Sequence, residues 1–328
     1  MKNSATKVLL LRLFSSLVIL FLLISAIFIL LRIAPGDPAQ KFISPELSNE
    51  LAEKVRESFQ LNGSIFDQYY NFIKNLLSGN FGISYNYRLP VISVIKDFLP
   101  FTLIFSSICF LIQIIFSFLF AVAAYKNKGS LIDKTLSSMS LIVYSIPTFV
   151  IAVLLVYVFS ITFHLFPSSD LKSINFEELS FGGKIIDYFN HLILPTATLS
   201  LGGIVVFYKY LRENFDSIGE KSFVLYLRTL GVSESVILKK HIIHNSLGPF
   251  ISAAGIEFGF LLSGALITEV IFGLPGMGRL TINAILLRDY PLVVGCTFVS
   301  GTLMIASNFI ADFIKVKIDK RLIKEILN

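Results

Sequence analysis

Long uncharged apolar runs constrain this chain more than any other feature of its sequence. A helix needs about 20 predominantly apolar residues to cross the hydrocarbon layer of a membrane. The chain is 54% apolar and only 15% charged, whereas soluble domains have roughly 45 to 50% and about 25%. We therefore predict an all-α polytopic membrane protein with six transmembrane helices. The six runs are Leu13–Leu31, a run from Phe98 or Pro100 to Tyr125, Leu136–Phe163, Leu192–Tyr208, Pro249–Ile271 and Leu292–Ile314.

Lys and Arg are distributed unevenly between the two alternating sets of segments that separate these runs. One set holds 17 basic residues and the other, although longer, holds 11. Basic residues accumulate in cytoplasmic loops, so the richer set and both termini are predicted to be cytoplasmic. The net charge of +6 then reflects topology and contact with anionic lipid, and no nucleic-acid partner is expected. The richer set comprises 1–12, 125–135, 209–248 and 315–328, and the other set comprises 32–99, 164–191 and 271–291.

The runs also suggest how the chain is divided. The first run exceeds the roughly 7 to 15 apolar residues of a signal-peptide core, so 1–31 is predicted to be a cytoplasmic N-terminus and a retained first helix. Residues 32–99 carry seven basic and seven acidic residues. They are predicted to form a small extracytoplasmic helical cap, with a helix within 48–59. Residues 100–328 then form a five-helix core.

Segment 209–248 is long and amphipathic. Four of its apolar residues recur at i, i+3, i+4 and i+7, which places them on one helix face, and Gly231 follows as a residue suited to a left-handed helix end. Two interpretations stay open from periodicity: a helix lying on the lipid surface, or a short helix that docks into a groove of a cytoplasmic partner. The four residues are Phe223, Tyr226, Leu227 and Leu230.

Residues 271–291 are too polar to span a membrane and too apolar for an ordinary loop. Such a segment fits a re-entrant or surface-lying position at a pore mouth, where irregular backbone is tolerated. Glu269 precedes the segment and is predicted to tie it to the fifth run. A continuous helix is interrupted by Gly273, Pro275, Gly276 and Gly278.

Two further acidic residues lie inside the apolar runs. A carboxylate in hydrocarbon is costly and is by default a functional candidate. Glu257 is expected to hydrogen-bond to a neighbouring helix. Asp312 stands beside Lys315 near the inner interface, which favours a salt bridge or a side chain that reaches towards water.

No catalytic constellation is present in the sequence. The glycine spacing of a P-loop occurs at 273–278, but Arg279 and Leu280 follow it instead of Lys and Ser or Thr. The patterns H-E-x-x-H and G-x-S-x-G are absent. His241 and His244 are interpreted as part of a solvated basic helix. We therefore expect no catalytic, cofactor-binding or metal-binding residue on this chain, and no ATPase activity of its own.

Four separated stretches together resemble one family, the binding-protein-dependent transport permeases, which form the membrane-spanning subunits of dipeptide, oligopeptide or nickel ABC importers. The last stretch is the most specific, because nine of its residues match the family pattern: Glu269, Phe272, Pro275, Gly276, Gly278, Arg288, Asp289, Tyr290 and Pro291. The stretches are Ala34–Pro38 (APGDP), Gly79–Ser84 (GNFGIS), Gly231–Pro249 and Thr268–Pro291.

The resemblance implies roles for two groups of residues. Segment 209–248 is similar to the family's ATPase-docking loop, with Gly231 and Pro249 at the family's spacing. It differs in having Leu225, Tyr226 and Leu227 where small residues are usual. The docking residues so implied are Phe223, Tyr226, Leu227, Leu230 and Gly231. The structural residues implied at the pore mouth are Glu269, Pro275, Gly276, Gly278, Arg288 and Asp289.

The resemblance also implies partners and a mechanism. A second homologous permease would complete the pathway, two cytoplasmic ATPases would bind ATP and Mg, and an extracytoplasmic solute-binding protein would deliver the substrate. The chain would lie in the bacterial cytoplasmic (inner) membrane and move by alternating access. Small peptides are the expected substrate, with nickel or a metal chelate as the alternative. A secondary transporter is a further alternative, but it would not need the docking segment.

Overall fold

The computed structural model describes residues 2–33 and 64–318, and helices dominate this part of the chain. Its only extended pairing is an isolated antiparallel bridge between Ile83 and Pro90. The all-α expectation is thus confirmed for the described residues, whereas the Ala34–Pro38 stretch and the predicted helix within 48–59 lie outside them. The helices are α1 (Lys2–Ile33), α2 (Ile65–Leu77), α3 (Val91–Lys126), α4 (Leu131–Ser145), α5 (Thr148–Leu155), α6 (Phe181–Gly219), α7 (Ser222–Thr229), α8 (Glu234–Val236), α9 (Ile243–Leu262), α10 (Leu266–Ile271), α11 (Met277–Leu286) and α12 (Tyr290–Ile318).

Five helical stretches of the described chain are long and apolar enough to cross a membrane, and a bent pair of helices makes six if it counts as one. In such helices every backbone group is paired within its own segment, which hydrocarbon requires. A π-helical segment, Ile237–Ile242, joins α8 to α9. The five stretches are Leu9–Leu30, Val91–Lys126, Phe181–Gly219, Glu234–Ile271 and Tyr290–Ile318.

The third predicted run, 136–163, is not one straight helix. Helix α4 ends at Ser145, and α5 with its π-helical continuation Val156–Thr162 leaves at an angle of 101°. Ile146 lies between them in an extended conformation, φ −96° and ψ 124°, directly before Pro147. The proline ring disfavours helical geometry in the preceding residue. The apolar run therefore continues through a position at which the helix stops.

Two other predicted boundaries differ from the structure. Helix α3 begins at Val91 instead of Phe98 or Pro100, and Pro100 lies within it. Helix α6 has 39 residues, which at 1.5 Å per residue is about 58 Å and exceeds the hydrocarbon thickness of about 30 Å. Because α6 runs to Gly219 and the next membrane-length helical stretch begins at Glu234, most of the predicted 209–248 loop belongs to the flanking helices. Only 220–233 connects them.

Helices α3 and α6 pack together at the centre, and α9 packs against both of them and against α12. The contact between α9 and α12 is close because α9 has glycines there. A Cβ at Gly255 would lie 2.3 Å from the Cβ of Ala311, and one at Gly259 would lie 3.0 Å from Met304 Cγ. The Ser307 hydroxyl also donates to the Gly255 carbonyl at 2.7 Å. Small residues allow this approach of two helices in a membrane.

Helix α1 packs on α12 at the edge of the bundle. Ile24 is fully buried there, and Leu20 fills the space beside Gly301. The Arg12 guanidinium donates through Nη1 to both carboxylate oxygens of Asp312 at 2.8 Å. The salt bridge expected for Asp312 near the inner interface is thus found with a residue of the first helix.

Candidate docking surface and loop cluster

The short helix α7 has one packed side and one exposed side. Val224 is fully buried, and Leu227 packs beside it against the cluster that contains Phe215 and Ile218. Phe223, Tyr226 and Leu230 point outwards, with 41%, 64% and 60% of their surface exposed. Of the four residues of the predicted stripe, Leu227 therefore belongs to the packed side.

The end of α7 is fixed by two backbone hydrogen bonds around Gly231. The Gly231 N–H donates to the Arg228 carbonyl at 3.0 Å, and the Val232 N–H donates to the Leu227 carbonyl at 3.1 Å. This pair of bonds is the Schellman arrangement of a helix end. Gly231 has φ +76°, where a side chain would be strained. The chain thus turns sharply at the residue predicted to end this helix.

Arg228 holds α7 to its neighbours in the chain. Its Nη1 donates to the carbonyl of Gly219, the last residue of α6, at 3.0 Å. Nε and Nη2 donate to the two carboxylate oxygens of Glu234 at 2.6 and 3.3 Å. The hydrogen bond to Glu234 is the main reason why the pKa of Arg228 is raised. A bidentate pair of this kind fixes direction as well as distance, so the exposed face of α7 has a defined orientation.

At the opposite end of the bundle, Glu269 binds the start of α11. Its side chain is fully buried, and Oε2 accepts the Arg279 N–H at 2.9 Å. The Thr102 hydroxyl donates to Oε1 at 3.3 Å and accepts the Met277 N–H at 2.8 Å. Negative charge and hydrogen-bond acceptors both stabilise a helix N-terminus. Glu269 of α10 therefore acts as the cap of a different helix, α11.

Glycines make room for this carboxylate. A Cβ at Gly276 would lie 2.3 Å from the Glu269 carboxyl carbon, and one at Gly278 would lie 2.8 Å from the Leu266 backbone. Pro275 lies between them and the turn at Gly273, which has φ +64°. The interruption of the helix around 273–278 thus follows from a buried acidic group that needs close backbone approach.

Asp289 has a similar role at the start of α12. It is fully buried, and Oδ1 accepts the Leu292 N–H at 3.3 Å. Oδ2 accepts the Ser84 hydroxyl at 2.5 Å and the Asn86 N–H at 3.0 Å. Arg288 beside it has φ +54° and ends α11. The loop around Ser84 and the α11–α12 junction are therefore joined, although 205 residues separate the bonded pair.

The structure thus divides the residues predicted from the sequence between two ends of the bundle. The predicted docking residues lie at one end, called here the α7 end, and the predicted pore-mouth residues lie together at the other, the α11 end. The pattern did not identify Val224, Arg228, Thr102 or Ser84, whose roles depend on contacts with other elements. Ser84 had one available signal, because it ends the Gly79–Ser84 stretch. Within residues 2–33 and 64–318, no group of three His, Cys, Asp or Glu side chains is placed to hold a metal ion.

Comparison with known proteins gives consistent matches over nearly the whole chain. The family profile described as the inner membrane component of binding-protein-dependent transport systems matches residues 113–324, and the profile of its N-terminal part matches 5–106. A probable peptide ABC transporter permease protein, y4tP of Sinorhizobium fredii, is 31% identical over 95% of this chain and 97% of its own length. The oligopeptide transport system permease protein AppB of Bacillus subtilis is 30% identical over 90% and 92%.

Among solved structures, the inward-facing MetNI methionine ABC transporter is similar at a TM-score of 0.48 and 14% identity. The match covers 72% of this chain and 97% of that one. The profiles and curated relatives confirm the resemblance drawn from the four sequence stretches. The chain belongs to the family of binding-protein-dependent transport system inner membrane components.

Proposed function

We propose that this chain is the permease subunit of an ATP-driven importer that carries small peptides across the bacterial inner membrane. Family membership and the names of its relatives, a peptide and an oligopeptide permease, support this function. Nickel or a metal chelate is the alternative substrate. ATP and Mg would bind to partner subunits, since the chain has no P-loop sequence.

One observation favours ATPase docking over a helix that rests on lipid. The α7 backbone is held by directional polar contacts of Arg228 and by burial of Val224, while its outward side presents Phe223, Tyr226 and Leu230. A lipid surface only requires that the apolar face of such a helix point towards it, whereas a groove on a protein partner also requires the helix to be held at a defined position and angle. We infer that these three side chains and the turn at Gly231 form the docking surface, with Leu227 supporting it from behind.

The proposed assembly sets the orientation of the chain. Two ATPases would bind at the α7 end, so this end would be cytoplasmic, in agreement with the bias of Lys and Arg. The α11 end and the loop around Ser84 would face outwards, where a solute-binding protein delivers the peptide. A second homologous permease would complete the pathway. Glu269, Pro275, Gly276, Gly278, Arg288 and Asp289 would maintain the shape of the outer mouth.

Docking is tested with the double substitution Tyr226→Asp and Leu230→Asp. Each removes apolar burial worth about 1.5 to 3 kcal/mol, so affinity for the ATPase should fall more than about tenfold. The measurement is co-purification of the ATPase with the chain, alongside ATP-dependent uptake of a labelled dipeptide.

The control is Ile174→Asp, which changes a fully exposed apolar residue between α5 and α6 and should leave ATPase retention unchanged. If the double variant inserts normally and still retains the ATPase, α7 is not the docking surface.

The substrate is tested by uptake of labelled di- and oligopeptides and of nickel in cells that carry the complete transporter. Peptide uptake that stops when ATP is depleted is expected. Uptake of nickel without peptide uptake would favour the metal alternative. Uptake that persists without ATP and follows an ion gradient would instead indicate a secondary transporter.

A further inference from the structure

Tyr125, at the end of α3, occupies the junction between α7 and three longer helices. Its ring meets Phe215 of α6 edge-on, with centroids 5.9 Å apart and an interplanar angle of 85°. The Arg212 guanidinium lies over the same ring, 5.7 Å from its centroid. The ring is thus held between an aromatic side chain and a cation of α6, both favourable partners for a π-system.

The hydroxyl group of Tyr125 points towards the region where α6 passes into α7. A Cβ at Gly219, the last residue of α6, would lie only 2.5 Å from this oxygen. Arg228 of α7 donates to the Gly219 carbonyl at 3.0 Å, so its guanidinium lies beside this hydroxyl. The Tyr125 oxygen therefore lies where α7 meets the end of α6.

Arg212 extends this contact to α4. It forms ion pairs with Asp216 of α6 and with Asp133 of α4, the latter at 3.4 Å. Asp216 also accepts from Lys128, in the turn between α3 and α4, at 2.7 Å. Tyr125 lies between the two guanidinium groups, Arg228 on the α7 side and Arg212 on the side of the spans. A displacement of α7 that moves Arg228 therefore also acts on Tyr125, whose ring contacts this network through Arg212.

We propose that Tyr125 is a positioning residue that transmits movement of α7 to α3 and, through Arg212, to α4 and α6. This inference rests on the proposed function, because it assigns the path by which an ATPase bound to α7 would move the spans. Contacts between packed groups that have two discrete arrangements can carry such coupling. Docking itself depends on the other side of α7, so coupling and docking are separable by substitution.

The test uses Tyr125→Phe in the complete transporter. The ring and its contacts with Phe215 and Arg212 remain, and only the hydroxyl is lost. The ATPase should co-purify in wild-type amount and continue to hydrolyse ATP. The number of peptides taken up per ATP hydrolysed should fall by roughly fivefold or more, the lower range of coupling between sites. Tyr188→Phe is the matched control, since this tyrosine also meets a phenylalanine edge-on but lies far from α7 along α6.

A second substitution perturbs the same contact from its other side. Gly219→Ala keeps Tyr125 but displaces its hydroxyl. It should therefore also lower the number of peptides taken up per ATP hydrolysed. In the double variant the hydroxyl is absent, and the nearest ring atoms would be 3.5 Å from the new methyl group. The double variant should therefore transport no worse than Tyr125→Phe alone, because both changes remove one interaction.

The outcomes separate this inference from the proposed function. The inference is overturned, without any effect on the proposed function, if Tyr125→Phe takes up as many peptides per ATP as the wild type. It is also overturned if the losses of the two single variants add up in the double variant. Loss of the ATPase from Tyr125→Phe would also overturn it, since the hydroxyl would then hold α7 in place instead of transmitting its movement. If the wild-type chain neither retains an ATPase nor supports ATP-dependent uptake, the proposed function fails and this inference fails with it.

Discussion

Glu257 and Glu269 lie in the same membrane-spanning stretch but have different surroundings. Glu269 accepts a backbone N–H of α11 and the Thr102 hydroxyl. Glu257 is half-buried in α9, and within the described part of the chain no hydrogen bond or ion pair reaches it. Its predicted bond to a neighbouring helix is therefore not seen. One acid is a structural cap, and the other has no polar partner among the described residues.

The same substitution should have opposite effects at these two positions. Glu257→Gln removes an acidic group without a partner in the described chain, which should stabilise the chain, by up to about 3 kcal/mol where the carboxyl group is ionised. Glu269→Gln weakens a buried acceptor whose donors would remain, which should cost about 1 to 3 kcal/mol. Thermal unfolding of the purified chain in detergent measures both changes. Shifts of the melting temperature in the same direction would contradict this assignment.

Local sequence identified the acids inside the apolar runs but not all their partners. Lys315 is the partner that the local sequence offers Asp312, because it lies three residues away on the same helix. The sequence offered no sign of the bond to Arg12, 300 residues earlier. Distant pairing depends on which helices become neighbours, and hydropathy contains no such information. The burial of Val224 was not predicted for the same reason, since it comes from packing against α6.

Among the elements, the apolar runs predicted where helices lie better than where they end. Apolar residues continue past Pro147, so composition alone could not locate the 101° bend between α4 and α5. Conversely, α6 continues into charged sequence around Arg212 and Asp216 because a helix persists in water when its side chains pair. Hydropathy marks the membrane boundary, and a helix end need not coincide with it.

The glycine contact between α9 and α12 gives a prediction at this scale. Gly255→Ala would place a methyl group 2.3 Å from Ala311, and such overpacking should cost about 1 to 3 kcal/mol. Gly202→Ala in α6 has no atom within 4 Å of its new methyl group. It should instead stabilise the helix by up to about 1 kcal/mol through propensity.

Thermal unfolding of the two glycine variants in detergent provides the comparison. Subtracting one melting temperature from the other cancels the effect of helix propensity, because both substitutions replace a helical glycine by alanine. Equal melting temperatures for the two variants would show that α9 and α12 are not in close contact.

For the whole molecule, the main prediction concerns orientation. A reporter fused after residue 62 should be active only if that reporter works outside the membrane. A reporter fused after residue 220 should be active only if that reporter works in the cytoplasm. The basis is the distribution of 17 and 11 basic residues between the two sides. An inside-active reporter at residue 62, or an outside-active reporter at residue 220, would refute the proposed orientation and place the docking surface on the wrong side for an ATPase.

The pairing of α1 with α12 has a consequence for biosynthesis. Helix α1 is translated first, yet its contacts through Leu20 and Arg12 are with a helix translated almost 260 residues after α1 ends. While the ribosome completes the intervening sequence, the surface of α1 that carries Leu20 must remain in lipid uncovered by α12, and the Arg12 guanidinium must remain without Asp312. A nascent chain arrested before residue 290 should therefore expose Leu20 to lipid crosslinkers. Release of the full chain should protect this position.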